Sequence, residues 1–379
     1  MKLNWKNMKI ENSLFNSVTN WQKHGIVLEP TEPWEGSFIQ NLFCTAEPLD
    51  KNSWRIWYSA SDHSLPYALA VAEGIPGQRL RRHQVQLSAG SPDESAPYSL
   101  GNLPEGWRPV QPVYLRLSDT HHRLYFWAHG PGVVRYLIAE SSDGCHYTVL
   151  DPLRPCLWHI NDRAAIDEAG AQGLTLWKID KGNRPADEPD ADPGLLVNDA
   201  TNVYRLMDGT FELYTPGLIR IPQSDPRYIA HDNAAGLLRV IDRLESSDGV
   251  HWKNRQRVIE RDAEDPLDLQ FYHLAVTHTP NGRVGMLGHY RVKAQTMDIE
   301  RCFSDDGVSW RRPERKAWLS LGQTGEVDSY CIYPPHALVR HEKRWWLFYT
   351  GFNCGHNMQE THGKKRSVIM LASCAEIEE

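Results

Sequence analysis

The sequence predicts an all-β, five-bladed β-propeller with long inserted loops. Three observations predict it: a recurring turn, aromatic alternating runs that recur with the turn, and a lack of long helical patterns. The turn reads Ser142-Asp143-Gly144-Cys145-His146-Tyr147, then Ser247-Asp248-Gly249-Val250-His251-Trp252, then Asp305-Asp306-Gly307-Val308-Ser309-Trp310. Asp-Gly supplies the positive φ of a tight hairpin turn, and the aromatic three residues on packs back on its sheet. A strand-like run precedes each turn, at residues 134–139, 238–244 and 297–303.

Upstream of each turn lies an aromatic-rich alternating run, at 122–127, 209–214 and 282–287. Alternation with period two is the signature of a strand. Further copies at 54–58 and 343–349 bring the count to five, each followed by another strand, 67–72 and 367–373. A preceding apolar strand completes each unit, at 38–44, 110–117, 203–206, 271–277 and 332–339. Five such meanders imply radial repetition of small sheets, with the first strands lining a central channel. The blades are expected at about 35–75, 107–150, 197–255, 268–312 and 328–375, forming one domain over 1–379. Two segments break the rhythm: the Pro/Asp-rich insertion 158–193 and a second insertion at 217–233. Loops of that length tend to be functional or disordered.

Composition narrows the function classes. Charged residues make up 23% and hydrophobic ones 41%, as in an ordinary globular protein with a large core. With 41 Lys+Arg against 48 Asp+Glu the net charge is −7, which argues against a nucleic-acid partner or an anionic membrane. The basic clusters Arg79-Arg81-Arg82 and Lys364-Lys365-Arg366 sit in polar surroundings and read as solvated loops. No stretch approaches the roughly 20 apolar residues that span a bilayer. Seven cysteines without a C-x-x-C pair, and a start without an apolar signal region, point to reduced thiols in a cytoplasm.

From about residue 197 to 356 the chain resembles the five-bladed propeller glycosidases grouped with arabinanases, levansucrases and invertases. The resemblance is carried by Asn198-Asp199-Ala200-Thr201-Asn202, the 247–249 turn, Asp265-Pro266-Leu267-Asp268-Leu269-Gln270-Phe271-Tyr272, the 306–307 turn, Asp328-Ser329-Tyr330-Cys331-Ile332-Tyr333-Pro334 and Tyr349-Thr350-Gly351-Phe352-Asn353-Cys354-Gly355-His356. It is similar to a divergent branch. The better-known families carry an Asp, an Asp and a Glu near the starts of the first three blades. Here the first blade opens with Trp34-Glu35-Gly36 and the second with Trp107-Arg108-Pro109-Val110-Gln111, which has no carboxylate. The familiar triad therefore does not carry over residue by residue. The resemblance implies a small-carbohydrate substrate, no required cofactor, and a place for calcium near the channel axis.

Glycoside hydrolysis needs one protonated and one ionised carboxyl group whose environments push their pKa values apart. In a propeller such groups belong at the channel mouth, where first strands begin. That filter leaves Asp199, Asp328, Glu35 and Asp268 as catalytic candidates, with Glu326 able to exchange roles with Asp328. Asn202 and Gln270 are placed to contact substrate, as are His273, His336 and His356 near strand ends. Trp34, at a strand start, offers a ring face to a sugar. Asp143, Asp248 and Asp306 lie on equivalent outer turns and read as structural. No spacing marks a dedicated metal site. The expectation is an exo-type glycosidase acting at an axial pocket through carboxylate acid/base chemistry. The alternatives are a propeller recruited for lyase, isomerase or cyclase chemistry with histidine acid/base groups, and a non-catalytic carbohydrate- or protein-binding module.

Overall fold

The computed structural model describes residues 20–61, 67–171, 196–357 and 363–375. Most of the predicted insertion at 158–193 lies outside the described residues. Strands dominate, and one short helix, Arg163–Ala171, opens that insertion.

Four antiparallel meanders of four strands follow the predicted order. The first runs Phe38–Pro48, Trp54–Ser61, Ala68–Gly74 and Arg81–Gln84. The second runs Arg108–Ser118, His121–Gly130, Val133–Ser141 and His146–Val149. The third is Asn202–Arg205, Phe211–Arg220, Leu237–Ser246 and Lys253–Ile259. The fourth is Leu269–Thr279, Gly282–Arg291, Thr296–Ser304 and Ala317–Leu319.

A fifth meander differs from the expectation in two ways. The predicted strand 332–339 is split into Cys331–Tyr333 and Val339–His341, because Pro334 and Pro335 bring no N–H to a ladder. Its outer strand comes from the other end of the chain: Gln22–Leu28 pairs antiparallel with Ser367–Ala375. The second insertion also starts later than expected. Gly217–Arg220 continues the strand Phe211–Arg220, and the excursion lies between it and Leu237–Ser246.

Contacts between first-strand segments close a ring. Tyr114 N donates to Thr45 Oγ1 at 3.2 Å, joining the second meander to the first. Ala200 N donates to Gln111 Oε1 at 3.0 Å, and Asn202 Nδ2 to the Leu274 carbonyl at 3.2 Å. Leu338 N then donates to Thr277 Oγ1 at 2.9 Å, and Phe43 N to the Pro334 carbonyl at 3.2 Å, which returns to the first meander.

The Asp-Gly turns hold the periphery. Asp143 Oδ1 accepts from the backbone N–H groups of Cys145 and His146, and Asp248 and Asp306 cap their own turns in the same way. Gly144, Gly249 and Gly307 have φ of 75°, 75° and 81°, the left-handed region that glycine enters most readily. The turns also dock neighbours, since Tyr125 Oη donates to the Gly249 carbonyl and Tyr214 Oη to that of Gly307. These aspartates are structural, as their outer position predicts.

Candidate active site

Asp199 stands where the meanders converge. Its segment is shaped by two residues with side chains in the left-handed region, Gln111 (φ 56°) and Ala200 (φ 66°). Such conformations persist only where surroundings over-determine them, and they cluster at functional sites. Gln111 supplies that constraint: its Oε1 receives Ala200 N and its Nε2 donates to Asp199 Oδ2 at 3.1 Å. Asp199 Oδ1 has no hydrogen-bond partner among the described residues, and the residue is only half-buried.

The negative charge of Asp199 acts on side chains from around the ring: Tyr67, His129, His159, Tyr272 and His356. Burial and the neighbouring His159 push His129 down to about 4, against the pull of Asp199. Burial also lowers His159, whose Nε2 pairs with Asn198 Oδ1 at 2.9 Å while its Nδ1 accepts from Asn161 N. Burial and then the Arg239 guanidinium hold His356 at about 4. At neutral pH the cup therefore offers neutral imidazoles beside one carboxylate. Burial and the Asp199 charge raise the Tyr67 and Tyr272 hydroxyls, so both remain donors.

The wall behind His356 is a buried ion pair. Arg239 Nη1 donates to Asp232 Oδ2 at 2.8 Å and to Gln270 Oε1 at 2.7 Å, and Nη2 donates to Asn233 Oδ1 at 2.6 Å. The guanidinium lies over the rings of Tyr272 and Tyr290, at 4.9 and 5.3 Å. His356 Nδ1 pairs with Tyr333 Oη at 2.9 Å, and its ring meets Tyr272 edge-on at 4.6 Å. Asp232 and Asn233 come from the second insertion, which thereby reaches the cup.

The predicted residues fall into separate places. Asp199, His356 and, behind them, Gln270 come together. Glu35 is fully buried inside the first meander: Oε2 accepts from Thr31 N, Glu32 N and Arg82 Nη1, and Oε1 from Tyr58 Oη. Asp328 repeats that arrangement in the fifth, where Oδ2 accepts from Lys23 Nζ at 2.7 Å and Tyr349 Oη at 3.1 Å. In both, the hydroxyl comes from the second strand and the cation from the outermost one. Asp268 Oδ2 accepts from Lys293 N, and exposed Glu326 accepts from Gln323 N in a turn. Buried Asn202 bonds the Leu274 carbonyl. His336 stacks on Tyr204 at 4.6 Å and pairs with the Val203 carbonyl at 2.8 Å, stapling the fifth meander to the third. Trp34 lines a cleft at the junction of the first and second meanders.

His273 is fully buried between Phe43 and Tyr333, and neither ring nitrogen has a hydrogen-bond partner among the described residues. These contacts bring the first, fourth and fifth meanders together, which happens only near the axis. Asn202 Oδ1 is likewise buried and unpartnered. Both are neutral donors, whereas calcium prefers six to eight oxygens, usually including carboxylates. Among the described residues no group of three or more His, Cys, Asp or Glu side chains is placed to hold a metal.

Sequence reasoning missed Tyr67, Gln111, His129, His159, Asp232 and Arg239 as parts of this cup. One signal was available: Gln111 occupies the blade-opening position where the resemblance implies an acid.

No protein-family model matches the chain, and no curated protein matches it. Solved structures do. A putative glycosidase from Bacteroides thetaiotaomicron superposes with a TM-score of 0.54 at 15% identity, covering 93% of this chain and 96% of that one. An N-acetylgalactosamine deacetylase from F. plautii, in complex with blood group B trisaccharide, gives 0.52 at 14% identity over 92% and 96%. A thermostable family-43 glycoside hydrolase gives 0.51 at 10% identity over 93% and 91%. The chain has the β-propeller fold of the glycosidases. At these identities, 10–15%, the likeness is one of fold alone. Among the described residues of the propeller, no helix is long and apolar enough to cross a membrane.

Proposed function

We propose that the propeller is a glycoside-processing enzyme acting on a small glycoside or oligosaccharide at the axial cup. Asp199 is its proton-transfer carboxylate. The observation that carries this reading is convergence: one half-buried carboxylate, with one oxygen held by Gln111 and the other unpartnered among the described residues, faces neutral histidines and tyrosines from several blades. Neutral imidazoles and phenols suit sugar hydroxyls, since they donate and accept without bringing a competing charge. The sugar-acting proteins among the structural neighbours support the substrate class.

Glu35 and Asp328 have a framework role in this reading. With those carboxylates engaged inside their blades, His129 or His356 is the group that exchanges a proton with the reacting atoms opposite Asp199. That same scarcity of free carboxylates favours a second reading, non-hydrolytic proton transfer on a small sugar-like metabolite by the same residues. We also take the cytoplasm as the compartment, a reading supported by the lack of any disulfide among the described residues.

The deciding experiment is a turnover screen with aryl glycosides and short oligosaccharides, with and without added calcium. Sugar release that disappears in Asp199→Asn supports hydrolysis. Isomerised or eliminated product that also requires Asp199 supports the second reading. Turnover that survives Asp199→Asn overturns both.

A further inference from the structure

Beside the cup, a cleft of about 370 Å³ opens between the first and second blades. Its walls include Trp34, Tyr67, Gln84, Gln86, Leu87 and Arg108. The volume sits at the small end of the roughly 300–1,000 Å³ typical of ligand sites. Tyr67 joins the two spaces: its hydroxyl feels the charge of Asp199, and its ring lies 5.6 Å from that of His129. Tyr67 therefore borders both the cup and the cleft.

The lining is chemically lopsided. Among the described residues it holds an indole, a phenol, two amides and a guanidinium, and no carboxylate. Arg108 Nη1 donates to the Trp107 carbonyl at 2.9 Å, and Arg108 forms no ion pair with an acidic side chain among the described residues. Other arginines nearby are engaged, as Arg82 is with Glu35 and Arg135 with Asp162. A guanidinium that keeps several donors uncommitted at the wall of a cleft is suited to a carboxylate or sulfate, which it can grip through paired hydrogen bonds.

We infer that this cleft is a second sugar subsite selective for a unit bearing an anionic group, with Trp34 stacking on the ring and Arg108 binding the charge. The inference rests on the glycoside-processing reading and names its substrate class: acidic oligosaccharides, carrying either a uronate carboxylate or a sulfate ester. Gln84 and Gln86 serve the hydroxyls of the same unit.

Calorimetric titration of the full chain with methyl β-D-glucuronide, methyl β-D-glucoside 6-sulfate and methyl β-D-glucoside tests it. At least one charged probe should bind about tenfold tighter than the neutral one, the scale of one charge-assisted hydrogen bond. Arg108→Gln should remove that preference and leave neutral binding unchanged, and the two charged probes tell carboxylate from sulfate. Equal affinity for all three, no binding of any, or a preference that survives Arg108→Gln overturns the inference. Asp199→Asn separates it from the parent reading. A preference retained while turnover is lost supports both, and turnover retained in Asp199→Asn sinks the catalytic assignment while the anion subsite stands.

Discussion

Glu35 and Asp199 show how far a residue type can mislead without its neighbours. Both are carboxylates ahead of a first strand, and the sequence pattern ranks them together. Four donors surround the fully buried Glu35, whereas Asp199 meets Gln111 and keeps an unpartnered oxygen. What separates them is Arg82, which lies 47 positions along the chain from Glu35 and reaches it only through the blade's outer strand. Breaking a buried ion pair leaves an uncompensated charge and costs about 3–5 kcal/mol. Glu35→Gln is therefore expected to lower unfolding free energy by an amount of that order in urea titration, with turnover by the remaining folded protein retained. Turnover lost from a variant of unchanged stability would return Glu35 to the chemistry.

At the scale of the element, the rhythm of antiparallel meanders was legible because it rests on local patterns: alternation, Asp-Gly turns and aromatic runs. The cup was legible only in Asp199, Gln270 and His356, because the rest of it is built from interruptions of those patterns. Register shifts fall within the first strands between Gln40 and Thr45, Val110 and Val113, and Phe271 and Leu274. A bulge re-aims side chains, so Gln111 and the Tyr272–His273 pair are set by an irregularity that alternation cannot forecast. The neighbouring strand is cut to fit. A Cβ at Gly288 would lie 2.3 Å from His273 Cε1, so the strand Gly282–Arg291 tolerates no side chain where it passes that ring. Gly288→Ala should destabilise the propeller by about 1–3 kcal/mol, the usual cost of overpacking, measured as a lower midpoint in urea. An unchanged midpoint would mean that the His273 ring moves freely, and its buried position would then carry no constraint.

At the scale of the whole molecule, the ring of described residues is closed by strands far apart in the chain. The strand Gln22–Leu28 completes the last blade by pairing with Ser367–Ala375, and Lys23 carries the charge that neutralises Asp328. Neither was readable from a segment with no turn motif beside it, since the pairing partner lies some 345 residues away. Closure draws histidines from several blades into a low-dielectric interior, and that gives the fold a pH dependence of definite sign. Burial lowers His273 to about 3 and His336 to about 4 from an ordinary 6.5, with His129 and His356 also at about 4. Between pH 6.5 and about 4 the unfolded chain takes up protons that the folded chain refuses, so stability falls as pH drops through that window and is level above it. Each fully buried histidine contributes about 1.4 kcal/mol per pH unit there. Carboxylates act lower down: Glu212, buried but held at about 2 by His278 and Arg283, protects the fold above pH 4.5 and loses that contribution only as pH falls below it. Urea midpoints should therefore drop clearly from pH 7 to pH 5, before the carboxylates titrate. His273→Leu removes one titrating group and should make that drop shallower. A midpoint that is flat between pH 7 and pH 5, or a slope that His273→Leu leaves untouched, would show that these imidazoles reach water or a proton acceptor in the folded ring.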